Sequence, residues 1–80
     1  MNPALIVYTR EGCHLCEEMA ASLLAIQKEI PFQLQFIDID DNPEWLTQYN
    51  ADVPVVTLHN KVLFRHFFDE DKLRQALTDG

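Results

Sequence analysis

The two cysteines of this chain, Cys13 and Cys16, form a C-x-x-C pair between an apolar run and an amphipathic stretch. The apolar run covers residues 4–8, and the amphipathic stretch begins at Cys13, so the first thiol is expected at a helix N-terminus. Unpaired N–H groups and the positive end of the helix dipole favour a thiolate at that position. A thiolate attacks disulfides, and a second thiol one helical turn later can displace the bound partner. The pair therefore predicts a redox-active dithiol.

Length, composition and charge limit the kinds of protein that this chain can be. A chain of 80 residues forms one domain, residues 1–80, because it has no room for a second core. Its 48% hydrophobic and 24% charged residues are typical of a globular rather than a disordered protein. The net charge of −7 and the pI of 4.6 argue against nucleic acid or an anionic membrane surface as a partner.

The sequence also indicates a compartment. The apolar runs are too short for a membrane span, and the N-terminus lacks the basic and apolar regions of a signal peptide. A cytoplasmic location is therefore expected. In that reducing compartment, a pair of cysteines is more often catalytic or metal-binding than a structural disulfide.

Hydrophobic periodicity in the first half of the chain predicts a strand, a helix and a second strand. The run at residues 4–8 is typical of a strand that is covered on both faces. A helical stripe follows, made of Leu15, Met19, Leu23, Ile26 and Ile30. Pro31 limits the end of this helix. Residues 32–36 alternate as a half-buried strand, and the shifted phase at Ile37 and Ile39 predicts a bend or bulge.

Capping and turn residues divide the second half into a short helix, a hairpin and a final helix. Asn42 and Pro43 predict the N-cap and the first position of a helix over about 43–49. Two apolar strands follow, joined by a tight hairpin at residues 59–61. Asp69 is expected to cap the last helix. The predicted element order is β-α-β-α-β-β-α.

Two segments of the chain resemble glutaredoxins. The stretch from Tyr8 to Cys16, Y-T-R-E-G-C-H-L-C, is similar to their active-site segment, and Val53-Pro54 is similar to their cis-proline loop. The resemblance covers nearly the whole chain and is closest to small glutaredoxin-like proteins of the thioredoxin superfamily with a C-H-L-C type motif. It implies an α/β thioredoxin-like fold, in which a four-stranded mixed sheet of order 2-1-3-4 is flanked by three helices.

The resemblance also implies roles for individual residues. Cys13 would be the nucleophile and Cys16 the resolving thiol of an oxidoreductase that acts on protein or small-molecule disulfides. His14 and Arg10 would favour the thiolate, and Arg10 matches a basic residue that meets a glutathione carboxylate in glutaredoxins. The main chain beside the proline would contact an extended substrate segment. The implied substrate-binding residues are Tyr8, Arg10, Val53 and Pro54.

Three departures from the glutaredoxin pattern concern glutathione and the redox potential. Residues 63–69 take the place of the Gly-Gly-x-Asp stretch that receives glutathione, and they contain no glycine. Asp52, beside Val53, adds a carboxylate that would repel both a thiolate and anionic glutathione. The C-x-x-C motif lacks the usual proline, so its redox potential cannot be transferred from relatives. We expect that no resident cofactor is required and that glutathione binds poorly.

A non-catalytic glutaredoxin-like module is the alternative interpretation. Such a module would hold a [2Fe–2S] cluster or zinc between two chains through Cys13, or it would serve as a docking domain with vestigial thiols. One chain offers only two adjacent thiols, whereas zinc and the cluster both favour four ligands, so no metal site is assigned within a single chain. We expect a monomer whose partner is a disulfide-containing protein or a small thiol. Its reductant would be thioredoxin reductase or glutathione.

Overall fold

A four-stranded mixed sheet and three helices form the framework of the protein, whose computed structural model describes residues 3–79. The strands are β1 (Ala4–Thr9), β2 (Gln33–Asp38), β3 (Val55–Leu58) and β4 (Lys61–Arg65), in the spatial order β2-β1-β3-β4. The helices are α1 (His14–Gln27), α2 (Pro43–Tyr49) and α3 (Glu70–Asp79), with a 3-10 turn at Ile39–Asp41. The predicted α/β class, element order and strand order 2-1-3-4 are confirmed.

The central strand, β1, pairs along both edges and carries the chain toward the cysteines. It runs parallel to β2, where Thr9 pairs with Asp38, and antiparallel to β3, where Tyr8 pairs with Val55. Parallel neighbours need a long crossover connection, which α1 supplies. The dithiol therefore follows a strand that is held on both sides.

Two apolar clusters lie on opposite faces of the sheet. The larger one packs α1 and α3 against the sheet and includes Leu5, Val7, Leu23, Val56 and Leu73. The smaller one lies under α2 and consists of Ile39, Tyr49 and Val55, with partly buried Tyr8 and Trp45 beside it. Successive side chains of a strand point to opposite faces, so Val55 and Val56 belong to different clusters.

Strand β2 ends differently from the prediction. Its pairing with β1 is regular from Gln33 to Asp38, and the chain then leaves the sheet through the 3-10 turn. Ile39 is therefore buried in the cluster under α2, and Phe36 is 44% exposed at the sheet surface. The predicted bend or bulge at Ile37 and Ile39 is wrong, because the shift in hydrophobic phase marks the end of the strand. The irregular pairing lies between β3 and β4 instead.

The hairpin between β3 and β4 turns on two residues rather than on the predicted three. His59 and Asn60 have φ angles of 53° and 66°, in the left-handed region that a two-residue hairpin of type I′ requires. Lys61 already belongs to β4 and pairs with Leu58. Asparagine tolerates this region better than most residues, which allows a tight hairpin without glycine.

The cap of α2 provides a test of local stability. The Asn42 side-chain oxygen accepts a hydrogen bond from the Glu44 N–H at 2.9 Å, and Pro43 occupies the first helical turn. We expect Asn42→Ala to lower the free energy of unfolding by about 1 kcal/mol, measured by urea denaturation. Asn42→Asp keeps an acceptor at the same position and should retain the wild-type stability within a few tenths of a kcal/mol. Equal losses in the two variants would contradict a capping role.

Candidate active site

Cys13 and Cys16 lie at the start of α1 and are joined by a disulfide. Cys13 is the N-cap, and its sulfur accepts a hydrogen bond from the Cys16 N–H at 3.1 Å. Their Cα atoms are 5.2 Å apart, within the usual range for bonded cysteines. Cys16 is 5% exposed, whereas Cys13 is half-buried. The sulfur that a substrate reaches more easily is therefore that of Cys13.

The turn that delivers the dithiol depends on Gly12. Its φ of +77° lies in the left-handed region, which glycine adopts without steric cost. This conformation lets the Cys13 N–H donate to the Arg10 carbonyl at 3.3 Å. A Cβ atom at this position would meet nothing within 4 Å. The constraint on residue 12 is therefore the backbone conformation and not the surrounding space.

The Val53-Pro54 segment lies at the same end of the sheet as the dithiol. The peptide bond between these residues is cis. The next residue, Val55, pairs with Tyr8 near the end of β1 that leads to the cysteines. The Pro54 carbonyl accepts a hydrogen bond from the His66 N–H at 2.9 Å. Sheet register thus places this segment and the loop after β4 beside the entry to α1.

An open cavity of about 320 Å³ adjoins the dithiol. Its walls come from the β1–α1 turn, the first turns of α1 and the surface of β2. The lining residues that bear on chemistry are Arg10, Glu11, Cys13, Cys16, Glu17 and Phe36. The cavity therefore lies beside the dithiol and is lined by charged groups and one aromatic ring.

Comparison with known proteins identifies the family of this chain and agrees with its fold. A family model described as a glutaredoxin-like domain (DUF836) matches residues 4–78. The chain belongs to this glutaredoxin-like family. Membership confirms the resemblance seen in the sequence, and the bonded cysteine pair is consistent with a redox role.

Individual relatives of this glutaredoxin-like protein support the assignment. It is 36% identical to a glutaredoxin-like protein of Dictyostelium discoideum, over 82% of this chain and 67% of the relative. Its sequence is 46% identical to that of the Nitrosomonas europaea protein Ne2328. The solution structure of that protein matches with a TM-score of 0.87 over 96% of this chain and 93% of that one. The chain shares its fold with a malarial thioredoxin-2. The two are 16% identical, with a TM-score of 0.68 over 99% of this chain and 84% of that one.

Arg10, predicted to tune the thiolate and bind substrate, is held by two polar neighbours. Its Nη1 donates to Asn50 Oδ1 at 2.5 Å, and its Nε lies 3.4 Å from Asp40 Oδ1. These partners belong to the side of the molecule that carries α2. The guanidinium lines the cavity, but part of its charge is already compensated by Asp40.

His14, the second residue predicted to tune the thiolate, faces solvent. Its side chain is 83% exposed, and its two ring nitrogens lie 3.9 Å from Glu17 and 3.7 Å from Glu18. These distances describe weak surface contacts along the first turn of α1. The described contacts of the ring are thus with carboxylates of its own helix.

Tyr8, predicted to bind substrate, belongs to an aromatic group under α2. Its ring stacks on Tyr49 with centroids 4.4 Å apart and meets Trp45 at 6.1 Å. Burial raises the pKa of Tyr8 above its ordinary value of 10.0, and the neighbouring Tyr49 phenol raises it further. The structure therefore places the Tyr8 ring in the packing between the sheet and α2.

The raised pKa of Tyr8 predicts a specific alkaline response. Between pH 10 and the pKa in the folded state, the unfolded chain loses a phenolic proton that the folded chain keeps, so stability falls as pH rises. We expect Tyr8→Phe to fall less steeply than the wild type across this window, as measured by urea denaturation at a series of pH values. Parallel pH profiles for the two proteins would contradict the assignment.

Asp52 is paired, which the sequence alone did not reveal. Its carboxylate lies 2.7 Å from Arg65 Nη1 and 3.9 Å from His66 Nε2. The Arg65 guanidinium compensates part of the negative charge of Asp52. The repulsion that we expected between Asp52 and a thiolate or anionic glutathione is therefore weakened. Arg65 lies 13 positions away in sequence and approaches through the pairing of β3 with β4.

Neither a metal-binding cluster nor a membrane-spanning helix is found in the part of the chain that the structure describes. Within residues 3–79, His, Cys, Asp and Glu side chains do not assemble in groups of three or more that could hold a metal ion. No helix in that same range has the length and apolarity needed to cross a bilayer.

Proposed function

We propose that this glutaredoxin-like protein is a thiol–disulfide oxidoreductase of the cytoplasm. The observation that carries the proposal is the bonded Cys13–Cys16 pair, which opens α1 beside an accessible cavity. A helix N-terminus stabilises a thiolate at Cys13 in the reduced protein. The greater burial of Cys16 suits a thiol that reacts only within the protein.

The reaction moves two electrons from the protein to the substrate. The Cys13 thiolate attacks one sulfur of an external disulfide, a bond forms between these sulfurs, and the substrate S–S bond breaks. The leaving thiolate takes a proton from solvent. The Cys16 thiolate then attacks the Cys13 sulfur, closes the internal disulfide and releases the second substrate thiol. An external thiol or dithiol must reduce the pair again.

Glutathione is a poor ligand in this proposal. Residues 63–69 lack the glycines that let a ligand approach the main chain, and the exposed Phe67 ring occupies this loop. Arg10, the cation expected to meet a glutathione carboxylate, is paired with Asp40 and hydrogen-bonded to Asn50. These features favour a thioredoxin-reductase type of electron donor. We also propose that the enzyme is a monomer and acts on disulfides of other molecules.

Reductase coupling tests this proposal directly. The oxidised protein would be mixed with 2-hydroxyethyl disulfide and supplied with electrons either by thioredoxin reductase or by glutathione with glutathione reductase. NADPH consumption would be followed in each arm. We expect turnover that depends on both cysteines and is faster with the first donor. Failure to reduce the disulfide with any thiol donor, including dithiothreitol, would overturn the proposal.

The same purified protein separates the enzyme from the metal-bridging module. Metal analysis after anaerobic purification and the mass in solution would be measured before the assay. Stoichiometric iron or zinc in a dimer, lost in Cys13→Ser, would favour the module, which needs ligands from two chains.

A further inference from the structure

The cavity beside the dithiol carries a charge pattern that selects among disulfides. We infer that the disulfide substrate bears positive charge close to its sulfur atoms. The inference rests on the proposed oxidoreductase function and names the substrate class of that same site. The matching chemistry is an ammonium or guanidinium group on a short aliphatic stem, carried either by a small diamine disulfide or by basic side chains of a polypeptide.

Two carboxylates flank the approach to Cys13. Glu11 precedes Gly12 in the turn before the helix, and Glu17 lies one helical turn after Cys13, where its N–H donates to the Cys13 carbonyl at 3.2 Å. The Glu17 side chain is 79% exposed. A ligand group that enters this cavity toward Cys13 therefore meets two residues that carry a negative charge, Glu11 and Glu17.

The nearby cation does not cancel these charges. Arg10 lines the same cavity, but its guanidinium forms a salt bridge with Asp40 and donates a hydrogen bond to Asn50. In the described part of the chain, no lysine or arginine nitrogen lies within 4.0 Å of the Glu11 or Glu17 carboxylates. His14 lies 3.9 Å from Glu17 and carries charge only when protonated. The net charge of −7 adds a long-range attraction for cations.

The apolar part of the cavity suits an aliphatic stem. Ala20 and Phe36 line it beside the carboxylates, and Phe36 keeps 44% of its surface exposed. Methylene groups can cover that ring while an attached cation reaches a carboxylate, as lysine and arginine stems do on protein surfaces. An anionic disulfide would meet the same ring but would be repelled by Glu11 and Glu17.

The test compares disulfides that differ in charge. Wild-type rates would be measured at about pH 8 with dithiothreitol as reductant, using cystamine, neutral 2-hydroxyethyl disulfide and anionic dithiodiglycolate. Each rate would be divided by the rate without enzyme. We expect cystamine to exceed dithiodiglycolate by roughly threefold to tenfold at low ionic strength, with the ratio falling toward one in 0.5 M salt. Disulfide peptides flanked by lysine or by glutamate separate a polypeptide source from a small-molecule source.

Glu17→Gln and Glu29→Gln form a matched pair of variants. Both remove one exposed carboxylate, but Glu29 lies just beyond the far end of α1 and pairs with Arg74. We expect Glu17→Gln to lower the cationic-to-anionic rate ratio by roughly twofold to fivefold, and Glu29→Gln to leave it unchanged. The ratio within one protein cancels any change in the thiolate fraction of Cys13.

The outcomes separate this inference from the proposed function. Reduction of the neutral disulfide with no cationic preference, or with a preference that Glu17→Gln does not change, would overturn the inference and leave the oxidoreductase in place. Failure to reduce even the neutral disulfide would overturn both.

Discussion

Replacing Cys13 with serine is expected to reduce disulfide turnover to the rate of the reductant alone, because it removes the accessible sulfur at the start of α1. A serine hydroxyl does not ionise near neutral pH and cannot form the mixed disulfide. The change should leave the fold intact, since a serine oxygen at the N-cap can accept the Cys16 N–H as the sulfur does. Turnover of 2-hydroxyethyl disulfide, with circular dichroism as the folding control, checks both expectations.

Cys16→Ser is the matched variant and should behave differently. Cys13 remains able to attack, but no internal thiol can release the product, so the mixed disulfide should accumulate. Mass spectrometry after reaction with 2-hydroxyethyl disulfide should show one adduct on Cys13 in Cys16→Ser and none in Cys13→Ser. An adduct on Cys16 in Cys13→Ser, formed at the same rate, would reverse the assignment of nucleophile and resolving thiol.

Removing the Leu23 side chain is expected to cause the largest loss of stability among single changes considered for this protein. Leu23 is 0% exposed and belongs to the cluster that packs α1 against the sheet. Leu23→Ala should lower the free energy of unfolding by about 2–5 kcal/mol, from the lost transfer energy and the cavity left behind. A domain of this size has only about 4–12 kcal/mol in total, so the variant should unfold at much lower urea concentration.

Leu24→Ala supplies an internal control on the same helix. Leu24 is the next residue but is 47% exposed, because it lies outside the stripe that faces the sheet. Its replacement should change the free energy of unfolding by less than about 0.5 kcal/mol. Similar losses for the two leucines would show that α1 packs with a different face, and would place the dithiol in a different orientation.

Elements with strong local signals could be predicted from the sequence. The start of α2 follows from Asn42 and Pro43, since an N-cap and a proline in the first helical position act within one turn of chain. The Asp69 cap is a signal of the same kind, and its side-chain oxygen accepts the Lys72 N–H at 3.1 Å. The end of β2 could not be predicted in this way, because an apolar residue at position 39 is compatible with both a bulged strand and a 3-10 turn.

The dithiol, its place at the start of a helix and the alternation of helices and strands could all be predicted from the amino-acid sequence. These features depend on residues that are neighbours in the chain, or on a period set by backbone geometry. The surroundings of the dithiol, in contrast, depend on how the elements pack together. Arg10 meets Asn50 across 40 positions, and Asp52 meets Arg65 across 13. Such pairs form because strand register and the packing of α2 bring distant segments together, and neither is encoded within a single segment.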